Sequence, residues 1–369
     1  MALEIINRKI VGTIDNLEEK LSGKLPVTRE ELLVLANSWG RKLDFEAKAS
    51  NNQTLKIEKC DSKECYDLSK LDTSEITNMS SIFRSSNFNG DVSNWNTSNV
   101  TDMKSMFFNT KEFNSLLNLW DVSKVTNMSE MFYFAKEFNS PLNSWDVSNV
   151  TSMLEMFSNA EKFNQPIGNW DTSNVTNMVG VFCDTQSFNQ ALNWNTSKVT
   201  SMEAMFFSTY KFNQPLNFDT TNLKNTLDMF YLAKEFNSKL NFSDTSKLIK
   251  ISFMFGETQK FNQPLNFNNT SNLIYMDNVF YGAKAFNQLF NLKIPENASI
   301  QNLFYKAEAF KNKFNNGEEI TKHNIALKKW LIENRDRMTD IDLKSKYGEE
   351  VDDFFKNIYS NKNRLKEIE

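Results

Sequence analysis

Histidine is almost absent from this chain: His323 is the one copy in 369 residues. A Ser-His-Asp or Cys-His constellation needs an imidazole to move the proton, so little can be assembled for nucleophilic catalysis. Glycine and proline are scarce, at 10 and 6. No glycine-rich loop that cradles a phosphate is written, and no Gly-x-Ser-x-Gly elbow. The three cysteines are Cys60, Cys65 and Cys183. Cys60 and Cys65 stand close enough for a disulfide, but an odd third cysteine in a long, Phe-rich chain favours reduced thiols. With one distant His and no second Cys pair, zinc lacks its four ligands. No long run of one charge sign occurs, and 42 basic against 46 acidic residues leave a net charge of −4. A nucleic-acid binder needs a clustered basic surface, which is not written here. No apolar run reaches the 18 residues of a membrane span. The first residues, MALEIINRKIVGTIDNLEEKLSGKL, show neither a signal-peptide apolar core nor a lipidation motif.

What the chain has in excess is phenylalanine, 32 copies, ample apolar area for a core. These residues are periodic. A Phe-Asn pair begins at Phe88, Phe113, Phe138, Phe163, Phe188, Phe212, Phe236, Phe261 and Phe286, with Phe310 continuing the series before Lys311. A second series (Phe83, Phe107, Phe132, Phe157, Phe182, Phe206, Phe230, Phe255, Phe280 and Phe304) precedes the first by five or six residues. Two rulers in fixed register over about ten copies of 24–25 residues specify a solenoid over 71–314. The period is too short for two helices per repeat. It fits the leucine-rich class, an α/β solenoid with one short strand and one short helical or 3₁₀ piece per repeat. In WDVSKVTNMSEMFYFAKEFNSPL, Met128, Met131, Phe132, Ala135 and Phe138 fall at i, i+3, i+4, i+7 and i+10, the face of a helix. The following FNSPLNSW suits an extended segment and turn, and DVSN is turn chemistry.

Comparing copies within the chain separates what every repeat needs from what varies. Both Phe columns and the Trp column (Trp95, Trp120, Trp145, Trp170, Trp194) read as core. The Asn after Phe is too polar for a dry core and reads as a ladder bonded to backbone or to the next Asn. The acidic column of Asp72, Asp121, Asp146, Asp171, Asp219 and Asp244 reads as turn capping rather than calcium binding, because the glycines of a calcium-binding repeat are missing. The variable column after the second ruler Phe is the informative one. Six of its ten members are aromatic: Phe108, Tyr133, Phe207, Tyr231, Tyr281 and Tyr305. They are the candidate partner-binding residues, since Tyr and Phe are enriched where interfaces gain their energy. The alternative is that they fill gaps between repeats, and solvent exposure decides between the two.

The repeated phrase W-D-[VT]-S-[NK]-V-T-x-M-x-x-M-F-x-x-A-x-x-F-N-Q-P-L resembles the repeat of BspA-like leucine-rich surface proteins, in the variant of mycoplasma-type lipoproteins, from about Asp72 to Phe310. The resemblance implies a right-handed leucine-rich-type coil on a cell surface, a role in adhesion or partner binding, and no enzymatic activity or cofactor. The ends read as caps, which a solenoid needs over its apolar cross-sections. Residues 1–70 form one, with a helix over 28–42 started by a Thr28/Glu31 capping box and a strand near 55–59. Residues 315–369 form the other, with helices near 318–334 and 340–360 that serve as cap or as an appended effector or dimerisation pair. The expectation is a non-enzymatic, monomeric or weakly oligomeric protein whose extended repeat surface recognises a protein or glycan. The alternative is an intracellular inhibitor, immunity or recognition module that binds a protein partner. The resemblance places the chain at the cell surface or secreted; the want of a signal peptide leaves the cytoplasm open.

Overall fold

A computed structural model of the chain describes residues 4–6, 9–11, 14–38, 45–48, 54–57, 67–288 and 294–309. Cys60, Cys65, His323, Phe310 and the two expected helices after residue 315 lie outside these. The chain divides into two units, Met1–Asn195 and Thr196–Glu369.

The first unit opens with an antiparallel pair, β1 (Glu4–Ile6) and β2 (Lys9–Val11), a short helix α1 (Leu17–Leu21) and a longer helix α2 (Arg29–Ser38). The start of α2 is chemically defined. The Thr28 amide donates to Glu31 Oε2 at 2.9 Å and the Glu31 amide donates to Thr28 Oγ1 at 3.2 Å, the reciprocal pair of a capping box, worth about 1 kcal/mol. A second antiparallel pair follows, β3 (Phe45–Lys48) with β4 (Thr54–Ile57). This segment is tied to the first repeat. Pro26 bridges Asp72 in parallel, the Val27 amide donates to Asp72 O at 3.0 Å, and Arg29 donates to Ser80 O at 2.9 Å.

From residue 71 onward the expected helical piece is replaced by something else. Among the described residues no α-helix lies between 71 and 307. Met128, Met131, Phe132, Ala135 and Phe138 all point into the core, but the backbone between them is a chain of turns. Glu130 and Phe134 take φ of 56° and 57°, left-handed values that no α-helix contains and that cost about 1–2 kcal/mol each. The hydrogen bonds explain why the cost is met. The amides of Glu130, Phe132 and Phe134 donate to Leu154, Met156 and Ser158 of the next repeat, at 2.7, 2.9 and 2.8 Å. The intervening amides of Met131, Tyr133 and Ala135 donate back to Met128, Glu130 and Phe132. Alternate residues therefore bond sideways and locally, and the segment's polar backbone is satisfied without helix or regular strand. A four-residue turn repeated twice places i, i+3, i+4 and i+7 on one side, as a helix does.

The second unit follows the same rule. The amides of Asp228, Phe230 and Leu232 donate to Ser252, Met254 and Gly256, while those of Met229, Tyr231 and Ala233 donate back to Thr226, Asp228 and Phe230. Here the extended segment after the Phe-Asn pair forms true strands, β5 (Leu216–Phe218) and β6 (Leu240–Phe242), paired in parallel and in register 24 residues apart. Single parallel bridges join equivalent residues elsewhere, such as Asp102 with Asn127 and Asn127 with Ser152 in the first unit, and Asn225 with Lys250 in the second.

The repeat columns pack as stacks. Phe132 and Phe138 lie face to face at 3.9 Å within one repeat, and Phe132 meets Phe107 and Phe157 of the flanking repeats at 5.7 and 5.6 Å. The second unit repeats this, with Phe230 and Phe236 at 4.1 Å and Phe230 and Phe255 at 5.7 Å. The tryptophans are core residues with their polar atom placed: Trp120, Trp145 and Trp170 donate their indole N–H to Val92, Leu117 and Leu142 of the repeat before, at 2.9, 2.9 and 3.1 Å. The Asn column is a ladder. Asn114 Oδ1 accepts the Asn139 amide at 2.8 Å, Asn139 Oδ1 accepts the Asn164 amide at 2.9 Å, and in the second unit Asn237 Oδ1 accepts the Asn262 amide at 2.8 Å. Each asparagine oxygen thus caps the chain of its neighbour.

Candidate functional site: a partly exposed aromatic face

The columns described so far are consumed by folding. The Asp column is too. Asp121, Asp171 and Asp219 accept the amides of Ser123, Ser173 and Thr221, each at 3.0 Å. The hydroxyls and amides of those residues hold the three carboxyls below the usual aspartate range. Among the described residues no group of three or more His, Cys, Asp or Glu is placed to hold a metal ion.

The variable aromatic column is different. Phe108, Tyr133, Phe207, Tyr231, Tyr281 and Tyr305 are all half-buried, with part of each ring in solvent. Each follows a buried ruler Phe and precedes a left-handed residue, so the turn carries the ring onto the flank of the repeat.

In the first unit the column begins with a cation. The Arg84 guanidinium lies 3.7 Å from the centre of the Phe108 ring and 3.6 Å from Glu130 Oε2. Phe108 stacks on Tyr133 at 4.7 Å and 13°, and Phe134 packs against Tyr133 at 4.8 Å. Beyond Tyr133 the rings stop at Ser158, which is buried, and Cys183. The Cys183 thiol reaches Asp184 Oδ2 at 3.6 Å, and burial, with the Asp184 charge, pushes its pKa up to about 12. It is an inert thiol at neutral pH. Burial pushes the Tyr133 hydroxyl above its ordinary value, reinforced by the Glu155 charge. Burial, then the charge of Glu130, raises Glu155.

In the second unit Phe207 stacks on Tyr231 at 5.4 Å, Phe253 meets the Tyr231 ring edge-on at 5.7 Å, and Tyr281 stacks on Tyr305 at 5.4 Å. Gly256 leaves the room that the Tyr231 ring occupies, since a Cβ there would lie 2.6 Å from Tyr231 Cδ2. The Lys306 ammonium sits 5.7 and 5.4 Å from the centres of Tyr281 and Tyr305. Burial pushes the Tyr231 hydroxyl up, with Glu257 adding to it. Asp228 is raised to about 6 by burial and by Glu203, whose own carboxylate accepts from Asn225 at 2.7 Å.

Column reading of the sequence located these rings but not the acids beside them. Glu130, Glu155, Asp228 and Glu257 occupy the two left-handed positions that bracket each ruler Phe, positions that look like helix surface until the turns are known. Their mark in the sequence is the recurrence of acids two residues before or after that Phe.

Three successive stretches, residues 52–167, 140–218 and 216–317, match the family described as Mycoplasma protein of unknown function, DUF285. The chain belongs to this family. Each match spans several repeats, so the family is defined by the repeated array and not by one copy. No curated protein and no solved structure matches the chain. No helix among the described residues is long and apolar enough to cross a membrane.

The raised Asp228 gives this family member a testable pH response. Its folded pKa lies above the ordinary 3.8, so the folded state holds the proton more tightly and stability falls as pH rises from about 4 through about 6. Asp228→Asn should therefore stabilise the protein at pH 7.5 by about 1–2 kcal/mol, the figure being discounted for partial exposure. The gain should fade to nothing near pH 4. Urea denaturation at both pH values checks this; an equal gain at pH 4 would remove ionisation as the cause.

Proposed function

We propose that the chain is a non-enzymatic binding protein that uses its repeat surface, and in particular the aromatic column, to hold a protein partner. On this reading the repeats wind as a leucine-rich-type solenoid of the BspA-like surface class, with the segment before residue 71 capping one end. The observation that carries it is the partly exposed state of all six residues, Phe108, Tyr133, Phe207, Tyr231, Tyr281 and Tyr305. The other repeated columns described are used up in capping turns or bonding the neighbouring repeat, whereas these rings, though stacked in pairs, keep part of their surface in solvent. Rings with two χ angles lose little entropy on contact and present a large apolar area, which is why they anchor interfaces. The surface reading rests on the likeness of the repeated phrase to BspA-like proteins.

The test is affinity capture from the native host with the wild-type chain and with a Tyr133→Ala, Phe207→Ala, Tyr231→Ala variant. All three residues are half-exposed, so the variant should fold, with thermal melting as the check. Loss of a captured protein on the folded variant supports the reading. An unchanged set of captured proteins removes the aromatic column from it.

A further inference from the structure

We propose that the second unit carries a separate docking face, built by Lys224, Ile249, Lys250, Ile274 and Tyr275, which takes an extended segment of a partner protein that bears apolar and acidic side chains together. The apolar side chains lie on Ile249, Ile274 and Tyr275, and the carboxylates meet Lys224 and Lys250. This face belongs to other columns than the aromatic one and is read by its own experiment.

One column, followed along the chain, marks the face. In the first unit the residue that leads into each parallel bridge is an exposed threonine. The amides of Thr126, Thr151 and Thr176 donate to the carbonyls of Thr101, Thr126 and Thr151 at 2.9, 2.9 and 3.0 Å, and their hydroxyls donate to the same carbonyls at 3.2, 3.1 and 3.3 Å. The second unit keeps the backbone bond and changes the side chains. The amides of Lys224, Ile249 and Ile274 donate to the carbonyls of Thr200, Lys224 and Ile249, each at 2.9 Å. The residues that follow in the bridged row are Asn225, Lys250, Tyr275 and Ser299. Threonine suits this extended backbone as well as isoleucine does, since both are β-branched. Ile274 and Tyr275 are nevertheless 37% and 46% exposed, with Ile249 partly exposed one repeat before. This apolar strip supplies nothing that the fold needs at these positions.

The lysines set the charge of the partner. Among the described residues neither Lys224 nor Lys250 enters an ion pair, whereas Lys136, Lys162 and Lys260 do. The Lys250 ammonium stands 5.2 Å from the centre of the Tyr275 ring, so a cation and an apolar surface are offered side by side to one ligand. Leu116 and Leu119 are also exposed, but the stretch 113–123 around them holds no lysine or arginine and so selects no charge. A second copy of this chain is a poor occupant, because a symmetric pairing of the face sets its lysines against the same lysines. An anionic lipid surface is also a poor one. Glu203 accepts from the Asn225 side chain at 2.7 Å, and Asp277 accepts from the Ser299 hydroxyl and from the Gln301 amide at 2.7 Å. Carboxylates therefore stand at both ends of the bridged row. They repel a broad anionic plane, while a carboxylate on a narrow peptide reaches the lysines between them.

The test uses the full chain and three peptides: Glu-Glu-Leu-Phe-Leu-Glu-Glu, Lys-Lys-Leu-Phe-Leu-Lys-Lys and Glu-Glu-Ser-Ser-Ser-Glu-Glu. The second reverses the charge and the third removes the apolar centre. Titration calorimetry is run at about 0.15 M salt, where attraction beyond ~8 Å is screened. The acidic apolar peptide should bind, and the other two at least about tenfold more weakly. Ile249→Thr with Ile274→Thr gives this column the residue it carries in the first unit, so the variant should fold, with thermal melting as the check. It should lose about tenfold for the acidic apolar peptide. Lys224→Gln with Lys250→Gln should do likewise. Leu116→Ser with Leu119→Ser should bind as wild type, and so should the Tyr133→Ala, Phe207→Ala, Tyr231→Ala variant. Equal binding of the first two peptides, or wild-type binding by the Ile249→Thr, Ile274→Thr variant, overturns the proposal. Loss of the peptide by the triple alanine variant overturns it too, since the peptide would then sit on the aromatic column. If the acidic apolar peptide fails to bind while the chain sediments with phosphatidylserine vesicles, or dimerises in the ultracentrifuge unless Ile249 and Ile274 are replaced, lipid or a second copy is the occupant and the proposal falls. If no peptide binds while the triple alanine variant still loses its captured partner, this face falls and the aromatic docking reading stands.

Discussion

Phe132→Ala is expected to lower the free energy of unfolding by about 3–5 kcal/mol, the range for emptying a buried aromatic site. The ring is fully buried and stacked on four sides, by Phe138 at 3.9 Å, Phe157 at 5.6 Å, Phe107 at 5.7 Å and Trp145 at 6.4 Å. The cost of such a deletion depends on how far the surroundings collapse into the space. Here they are held apart. The Phe132 amide donates to Met156 O at 2.9 Å, and Phe107 is fixed by its own amide donating to Met131 O at 2.9 Å. The ladder that joins repeats thus keeps the repeat spacing, and the cavity persists. Tyr133→Ala, one residue along, removes a ring of similar size that is partly in solvent, and should cost clearly less, about 1–2 kcal/mol. Urea denaturation of both variants measures the contrast. A cost below 1 kcal/mol for Phe132→Ala would mean that the ring stack is not the core.

That contrast between adjacent residues is what the sequence made legible. The two Phe rulers, the Trp column and the Asn column repeat because each makes its contact with the copy next door, and a contact of that kind must be satisfied in every copy. The Asn139 oxygen on the Asn164 amide is such a contact, and its demand is visible as a fixed letter. The helix read over Met128 to Phe138 failed for an equally physical reason. Inward spacing reports only which side chains are buried, and a chain of four-residue turns buries the same ones. What distinguishes the two is where the amides go, and a bond from Glu130 to Leu154 leaves no mark in local spacing. The acids of the candidate face were illegible for the same cause. Glu155 comes to Tyr133 from the neighbouring repeat, and only the left-handed turns at Glu130 and Glu155 determine which variable positions share a face.

Gly168→Ala is expected to destabilise the first unit by about 2–3 kcal/mol, through overpacking against backbone that cannot move aside cheaply. The glycine is not there for a left-handed turn, unlike Gly180 with φ of 60°. It is there for space: a Cβ at residue 168 would stand 2.3 Å from Ala191 O and 3.3 Å from Ala191 C. The close approach follows from the sequence. From Phe163 the chain reads FNQPIGNW, but one repeat later, from Phe188, it reads FNQALNW, one residue shorter. The shorter connection between Phe188 and Trp194 runs tight against the repeat before it, and Gly168 is the residue beneath. Asn143 holds the equivalent place one repeat earlier, where the next connection has full length, and it is exposed; Asn143→Ala should change stability by less than about 0.5 kcal/mol. The shortened connection can be lengthened again. Inserting one Gly after Leu192 restores the eight-residue spacing, and in the Gly168→Ala background it should recover at least half of the lost stability, measured by urea denaturation. Wild-type stability for Gly168→Ala would show that the two chains do not approach as closely as 2.3 Å requires. A loss that the insertion leaves untouched would show that the shortened connection is not its cause.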